Sequence, residues 1–372
     1  MQAKVKHVMS CLEELAPASL ALPGDNVGLQ LGNPEASLNK ILVALDPDHE
    51  AVAEAVSIGA EMLVTHHPLF YHKLSSLDES IPLGALVFSA IKNGLNIFCV
   101  HTNYDLVPWG VSYQLATRLG FPVENSEVIE IRGCEELLKL VAYVPAGHED
   151  HVRSAISDAG AGQIGNYSHC TFQVSGTGTY MPGKGTDPYI GTGGRLEKVS
   201  ELRLETILPA MRRKEVISAL LHAHPYEEVA YDLYPLEIGG QPLGLGLIIE
   251  LDKPLDLEQI LQSCRERLNA ADLRYWVSTR RSFRKIALCG GSGGSLIKNA
   301  AMQAAEIFIA GDFRYHDLKT AQGLGITLID AGHDATEWPA VFYLKEYLAE
   351  RLKKDGYGTE VYLQASVPSG WF

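Results

Sequence analysis

The sequence lacks a surplus of basic residues and long apolar runs. Lys and Arg number 31 against 45 Asp and Glu, giving a formal net charge of −14. A general nucleic-acid binder is therefore not expected, because few spare cations exist to displace counterions from phosphates. No run approaches the roughly 20 apolar residues that cross a bilayer, and residues 1–15 form a charged amphipathic pattern unlike a signal peptide. We expect no membrane association.

Closely spaced cysteine pairs are also missing. The six cysteines lie far apart with no CxxC pair, and several fall in apolar, strand-like runs. This pattern is typical of buried free thiols in a reducing compartment, so we expect a cytoplasmic protein. The chain has 372 residues, of which 46% are hydrophobic and 20% charged. It is long enough for two or three globular domains.

Strand-like and helix-like patterns alternate in residues 1–127 and again in residues 238–372. Short apolar runs such as Lys40–Asp46 and Glu61–Thr65 predict buried strands, and amphipathic segments predict helices between them. This alternation predicts an α/β fold of two lobes, with mainly parallel sheets and helices on both faces.

The rhythm changes between residues 128 and 237. The patterns there predict the order βαββαβ, with the second helix from Ile207 to Leu221 and a glycine-rich segment from Ser175 to Gly194. That order is the ferredoxin-like plan, which folds as its own unit. We therefore predict an inserted ferredoxin-like domain, since a surface loop tolerates insertion at little cost to the host fold.

Two adjacent histidines, His66 and His67, follow one predicted strand and precede Pro68. Proline disfavours the helical conformation in the residue before it, so the chain should leave the strand extended. Ligands of α/β proteins bind at the carboxyl ends of strands, where neutral imidazoles suit a metal. The alternative is a pair of polar loop residues that cap nearby groups.

Two further strand ends carry ligand-type residues. One is followed by His101 and Asp105, the other by His333 and, four residues later, Glu337. If a helix begins at His333, the last two side chains share a face. A histidine and carboxylate set without cysteine suits Zn, Fe, Mn or Co, and the geometry of the site would have to decide among them. These side chains exceed the needs of one catalytic ion, whereas two ions sharing a carboxylate would use five of them. Separate polar loop tips are the alternative.

These segments together resemble the motifs of the NIF-three-like family, whose members are often named GTP cyclohydrolase I type 2 homologues. The matching segments are His66–Leu69, His101–Asp105, Gly311–His316 and Gly332–Glu337, with Asp25–Gln30 and Asp46 fitting the amino-terminal pattern. The resemblance implies two divalent ions between two α/β lobes and a toroidal homohexamer. By motif position it implies the ligands His66, His67, Asp105, His333 and Glu337, with Glu337 as the bridge. His101 and His316 would then be neighbours of the site.

The insertion resembles the PII/CutA-like domain of longer family members. The matching segments are Gly165–Cys170, Gly176–Tyr180 and His224–Glu228. The glycines of residues 175–194 suit close backbone approach to a ligand, or a flexible lid or oligomer contact. His224 and Glu227 are either a metal pair or a structural turn.

The chain departs from the family pattern at two positions. Asp334 stands where an aromatic residue is common, and Trp109 follows Pro108 where glycine is usual. Either change would reshape a substrate pocket. Gly290–Gly294 also resembles a phosphate cradle, although it lacks the GK[ST] ending of a P-loop.

These observations favour a metal-dependent hydrolase acting on a small molecule such as a nucleotide or phosphoester. Two divalent ions would lower the pKa of a bound water, and the hydroxide would attack a phosphoester or, in a cyclohydrolase reaction, the purine C8. His101 is the candidate proton donor. The alternative is a non-enzymatic regulatory module, a hexamer that senses a metal or ligand, which the PII/CutA-like insertion would suit.

Overall fold

The computed structural model describes residues 1–270 and 272–365. Two compact units are present. One contains residues 1–132 together with residues 243–270 and 272–365, and the other contains Gly133–Pro242. Parallel and antiparallel strands both occur, so the fold is mixed α/β. Within the described ranges, none of the helices has the length and apolar character that a membrane crossing requires.

The amino-terminal segment alternates strands with helices. In chain order these are β1 (Ala3–Lys4), α1 (Val5–Leu15), β2 (Gly28–Leu31), β3 (Ser37–Leu38), β4 (Lys40–Ala44), α2 (His49–Ile58), β5 (Met62–Thr65), α3 (Pro82–Lys92), β6 (Asn96–Cys99), α4 (Thr102–Leu106) and α5 (Val111–Leu119).

The middle segment has the order βαββαβ. Its elements are β7 (Glu127–Pro145), α6 (Glu149–Asp158), β8 (Phe172–Tyr180), β9 (Glu197–Pro209), α7 (Arg213–Ala223) and β10 (Tyr231–Asp256).

The carboxyl-terminal segment returns to alternation. Its elements are α8 (Leu257–Arg267), β11 (Arg274–Trp276), β12 (Ser282–Ser292), α9 (Ile297–Met302), β13 (Ile307–Gly311), α10 (Tyr315–Leu324), β14 (Thr327–Asp330), α11 (His333–Lys354) and β15 (Glu360–Leu363).

The first sheet of the larger unit has the order β15-β4-β5-β6-β2. All neighbouring pairs are parallel except β2, which runs antiparallel to β6. One apolar core joins this sheet to α1 and α11, and a second joins its other face to α2 and α3. Because both faces are covered, β5 is buried throughout, which explains its unbroken apolar run.

The second sheet of this unit contains β12, β13 and β14 as parallel neighbours. Antiparallel strands flank them, with β11 beside β14 and β10 beside β12. Apolar cores again cover both faces. The antiparallel strands make the sheets less uniformly parallel than the alternating pattern predicts.

The smaller unit has the strand order β10-β7-β9-β8 and its own apolar core. Two sequence-based expectations fail here. Ile207 lies in β9 rather than in a helix, because it pairs with Lys139, and α7 begins only after Pro209. The glycine-rich segment begins inside β8, where Ser175 pairs with Leu202.

Helix α11 connects the two sheets of the larger unit. It begins three residues after β14 of the second sheet ends, at Asp330, and its buried residues Ala340 and Leu344 pack in the core of the first sheet. The buried Tyr104 hydroxyl of α4 donates to the Ala340 carbonyl at 3.2 Å. The first turns of α11 therefore lie against the carboxyl edge of the first sheet.

Leu344→Ala tests this anchoring of α11. Leu344 is completely buried, whereas Phe342 on the same helix is 53% exposed. Because the cavity left in a packed core does not close fully, we expect Leu344→Ala to lower the free energy of unfolding by about 2–5 kcal/mol. The matched change Phe342→Ala should cost less than about 1 kcal/mol. Urea denaturation measures both, and equal losses would contradict the packing of α11.

Candidate metal centre

Six ligand-type side chains of the larger unit lie close together after the carboxyl ends of strands from both sheets. Ligand atoms of His66, His67 and His101 lie within 4.8 Å of one another, as do those of His67, His333 and Glu337. Asp105 approaches the same place, with its Oδ1 3.7 Å from His66 Nε2. All five predicted ligands are therefore brought together, and His101 lies among them.

Strand register explains this convergence. Thr65 of β5 pairs with Cys99 of β6 in a parallel ladder, so the residues that follow each strand emerge at one edge. His66 and His67 follow β5, whereas His101 follows β6 and is the N-cap of α4, which carries Asp105. On the second sheet β14 leads into α11, and its helical spacing places His333 and Glu337 on one face.

Each of the four imidazoles is anchored through Nδ1. A backbone carbonyl or carboxylate accepts a hydrogen bond there, which fixes the Nδ1–H tautomer and leaves the Nε2 lone pair for the centre. The acceptors are Val100 O for His66 at 2.8 Å, Asp46 Oδ1 for His67 at 2.8 Å, Asp25 Oδ1 for His101 at 2.9 Å and Asp312 Oδ2 for His333 at 2.6 Å.

Glu337 lies between these imidazoles. Its Oε1 is 3.2 Å from His333 Nε2 and 3.7 Å from His66 Nε2, and its Oε2 is 3.1 Å from His67 Nε2. The side chain is nearly inaccessible to solvent. The Glu337 carboxylate thus lies within 3.7 Å of three imidazoles, those of His66, His67 and His333. This is the geometry that a bridging ligand needs.

Two buried atoms of the centre are unsatisfied. Among the described residues, His66 Nε2 and Glu337 Oε2 have no partner in hydrogen-bond geometry. Buried polar atoms are normally paired, because an unmade hydrogen bond costs the full desolvation of the group. A cation at this centre would satisfy both an imidazole lone pair and a carboxylate oxygen. The donor set therefore fits a divalent metal ion.

The charges at the centre shift its pKa values. Burial opposes charging of His67, but the carboxylates of Asp46 and Glu337 raise its pKa to about 10. Glu337 raises the pKa of His333 to about 9 against the effect of burial. Burial would raise the pKa of Glu337, yet the imidazoles around it keep that pKa well below its usual value. A metal ion would compete with these protons for the same nitrogens.

The centre opens into a cavity of about 2120 Å³ lined by residues of the larger unit, among them His67, His101 and Glu337. Pockets for small molecules usually measure roughly 300–1,000 Å³, so the cavity has ample room for a substrate. Tyr71 also lines it and meets the His101 ring edge-on, with the ring centroids 6.3 Å apart. No sequence pattern singled out Tyr71, although it lies only four residues after His67.

The two departures from the family pattern have different surroundings. Asp334 lines the cavity, as expected. Trp109 instead packs against the core of the first sheet, and its Nε1 donates to the Leu15 carbonyl at 2.9 Å. The expectation that Trp109 reshapes the pocket is therefore not supported.

Two other predicted histidines belong to neither of the two groups of close ligand atoms found among the described residues. His316 is exposed on α10, with its ring against Tyr315. In the smaller unit His224 Nε2 donates to the Tyr143 carbonyl at 3.0 Å, and its Nδ1 accepts from the Tyr226 amide at 3.1 Å. Since backbone groups engage both nitrogens, the turn is the better interpretation of His224.

The glycine-rich stretch Gly290–Gly294 begins within strand β12, and its residue Gly291 lies beside the centre. Gly291 has φ +65°, and a Cβ there would collide with Glu337 Oε1. The Gly291 amide also donates to Thr336 Oγ1 at 3.0 Å. The absence of a side chain therefore lets the backbone of residue 291 lie directly against the central carboxylate.

Gly291→Ala should displace Glu337 and lower metal retention. Gly325 is a matched control, because its φ is +72° but a Cβ there would meet nothing within 4 Å. Both variants incur the left-handed penalty of about 1–2 kcal/mol, whereas only Gly291→Ala disturbs the centre. Elemental analysis after dialysis measures the bound ions, and thermal melting checks the fold. Equal metal content in the two variants would contradict this role of Gly291.

Comparison with known proteins gives the chain a family. The family model Duf34/NIF3 (NGG1p interacting factor 3) matches residues 3–368. A protein of Halalkalibacterium halodurans named GTP cyclohydrolase 1 type 2 homolog is 39% identical over 359 residues, covering 96% of each chain. A Bacillus subtilis protein of the same name is 34% identical over 330 residues, covering 89% of this chain and 88% of its own.

Solved structures agree. The crystal structure of a Bacillus cereus protein related to NIF3 is 36% identical, covers 100% of this chain and 99% of its own, and has a TM-score of 0.81. A Staphylococcus aureus protein is 26% identical, covers 100% of this chain and 98% of its own, and has a TM-score of 0.69. The chain belongs to the DUF34/NIF3 family.

Proposed function

We propose that the protein is a metal-dependent hydrolase with two divalent ions, most simply zinc, that acts on a nucleotide or another phosphoester. The observation that carries the proposal is the pair of unsatisfied buried atoms, His66 Nε2 and Glu337 Oε2, at the meeting point of four Nδ1-anchored imidazoles. The name of the relatives, GTP cyclohydrolase 1 type 2 homolog, supports a nucleotide as the first substrate to test.

The six side chains divide into two ligand groups. His66, His101 and Asp105 would hold one ion, and His67 and His333 the other, with Glu337 shared. This assignment makes His101 a ligand instead of the proton donor. Its support is that the His101 ring is anchored to Asp25 through Nδ1 and that its ligand atom lies within 4.8 Å of those of His66 and His67.

When bound, divalent ions would polarise the substrate and lower the pKa of a water. The other roles fall to the protein itself. The cavity admits the substrate, and Tyr71, 59% exposed beside His101, offers its ring and hydroxyl to a bound molecule. Burial and nearby carboxylates such as Asp46 raise the pKa of Tyr71 to about 12, so its hydroxyl remains a hydrogen-bond donor at neutral pH.

We infer further that the smaller unit is a ferredoxin-like domain of PII/CutA type and that the chain forms a toroidal homohexamer in the cytoplasm. The order βαββαβ and the separate apolar core support the ferredoxin-like assignment. The same unit is the reason to keep a second candidate function, a non-enzymatic module that senses a metal or ligand. Gel filtration with light scattering tests the hexamer.

Metal content and turnover test the hydrolase. We expect about two ions per chain after metal loading and dialysis, and hydrolysis of GTP or a phosphoester. His66→Ala should lose at least one ion and most of the turnover, because it removes a buried ligand. His316→Ala, the same change at an exposed site on α10, should retain both. Less than one ion per chain in the wild-type protein would contradict the dinuclear centre.

The same variants separate the two candidate functions. Loss of turnover in His66→Ala with the assembly intact favours the enzyme. No turnover in the wild-type protein, combined with collapse of the assembly in His66→Ala, favours the sensing module. A thermal-shift screen of nucleotides against the wild-type protein would then identify ligands of that module.

A further inference from the structure

Three aspartates from separate segments contact histidines of the centre on the Nδ1 side of each ring, opposite the Nε2 atoms that converge. Asp25, Asp46 and Asp312 each accept a hydrogen bond from Nδ1 of one histidine, at 2.6–2.9 Å. These contacts point the three rings inward. The fourth ring, His66, is held by the Val100 backbone carbonyl instead.

The register of the first sheet places Asp46 beside His67. Ala44 of β4 pairs with Thr65 of β5 in a parallel ladder. Asp46 and His67 each lie two residues after these paired positions. The His67 amide also donates to the Leu45 carbonyl at 2.9 Å, which continues the pairing past the strand ends. Asp46, which accepts the hydrogen bond from the His67 ring, thus lies just after the neighbouring strand β4.

Asp25 and Asp312 are placed by the same principle. Gly28 of β2 pairs with Cys99 of β6 in an antiparallel ladder, so the chain before β2 runs beside the chain after β6, where His101 lies. On the second sheet Ala310 pairs with Asp330, which brings the residues after β13 next to those that begin α11.

Asp312 makes its contact from an unfavourable backbone conformation. Its φ is +59°, a left-handed conformation that Asp and Asn tolerate better than other residues with a Cβ. Asp25 is held a second time, because its Oδ2 accepts from the Thr102 amide at 3.1 Å. Asp25 is therefore held by donors from both His101 and Thr102.

We propose that Asp25, Asp46 and Asp312 are positioning residues of the metal centre. Each holds one ring with Nε2 pointing into the centre. Each also makes that nitrogen a stronger metal ligand, since a carboxylate at Nδ1–H makes the imidazole more electron-rich. This inference rests on the proposed metal site. It assigns a common task to three segments that bind no ion themselves.

Charge-removing variants test the proposal. Asp25→Asn, Asp46→Asn and Asp312→Asn keep the side-chain shape, and Asn also tolerates the left-handed backbone at residue 312. We expect each to lower Zn²⁺ affinity about 10–100-fold in a chelator competition. In protein loaded with Co²⁺, each should also shift the visible absorption spectrum, a readout that a purely structural role would not move.

Asp334→Asn is the matched control. Asp334 lines the same cavity and carries the same charge, but among the described residues it makes no hydrogen bond to an imidazole. In the control, the Zn²⁺ affinity should stay within twofold of the wild-type value. Its Co²⁺ spectrum should be unshifted. An equal loss in Asp334→Asn would show that the field of any nearby charge suffices, and would overturn the proposal.

The outcomes separate this inference from the proposed function. If the wild-type protein binds no divalent ion, the metal site itself is wrong. If it binds ions and all three Asn variants bind them equally well with unchanged spectra, only the positioning role is wrong. Thermal melting of the metal-free variants checks that they fold. Should one variant fail to fold, the other two still decide the question.

Discussion

The hydrogen bond at Nδ1 of each histidine is the constraint on which the centre depends. An imidazole on a free loop samples many directions, whereas a ring held at one nitrogen presents the other along a fixed line. The backbone carbonyl of Val100 holds His66, and carboxylates hold the other three rings. Each acceptor lies just after or just before a strand adjacent to the one that the histidine follows, so the register of the sheets sets the directions of the rings.

Helix α11 completes the centre by joining the two sheets. Its first residues follow the second sheet, and its apolar face is buried on the first. Glu337 is therefore carried into a space where imidazoles approach both of its oxygens. Burying a charge is costly unless it is paired, and the imidazoles around Glu337 pair its charge and keep its pKa well below the usual value. The packing of α11 and these imidazoles together hold the carboxylate in place.

Much of the site could be predicted from the sequence because strand ends and helical spacing are local properties. Two histidines before a proline mark a strand end, and His333 with Glu337 share a face once the helix begins at His333. The strand-end pattern also picked out His101 as a ligand-type residue, but it could not predict the direction of the His101 ring. Asp25, 76 residues away in sequence, fixes that direction through a hydrogen bond.

Other misses have the same origin in non-local contacts. Ile207 has a helix-like neighbourhood, but pairing with Lys139 draws it into a strand. Trp109 is a large aromatic residue near the site motifs, but its indole N–H donates to the Leu15 carbonyl and its ring packs against the core. Gly291 looked like part of a phosphate cradle, and only the approach of Glu337 shows why a side chain is excluded there.

Anomalous diffraction from crystals soaked in zinc tests the central claim most directly. We predict two peaks, one at about 2.0–2.1 Å from Nε2 of His66 and His101 and the other at the same distance from Nε2 of His67 and His333, with Glu337 contacting both ions. A single peak outside this set, ions bound through Nδ1, or no peak at the centre under metal-replete conditions would contradict it.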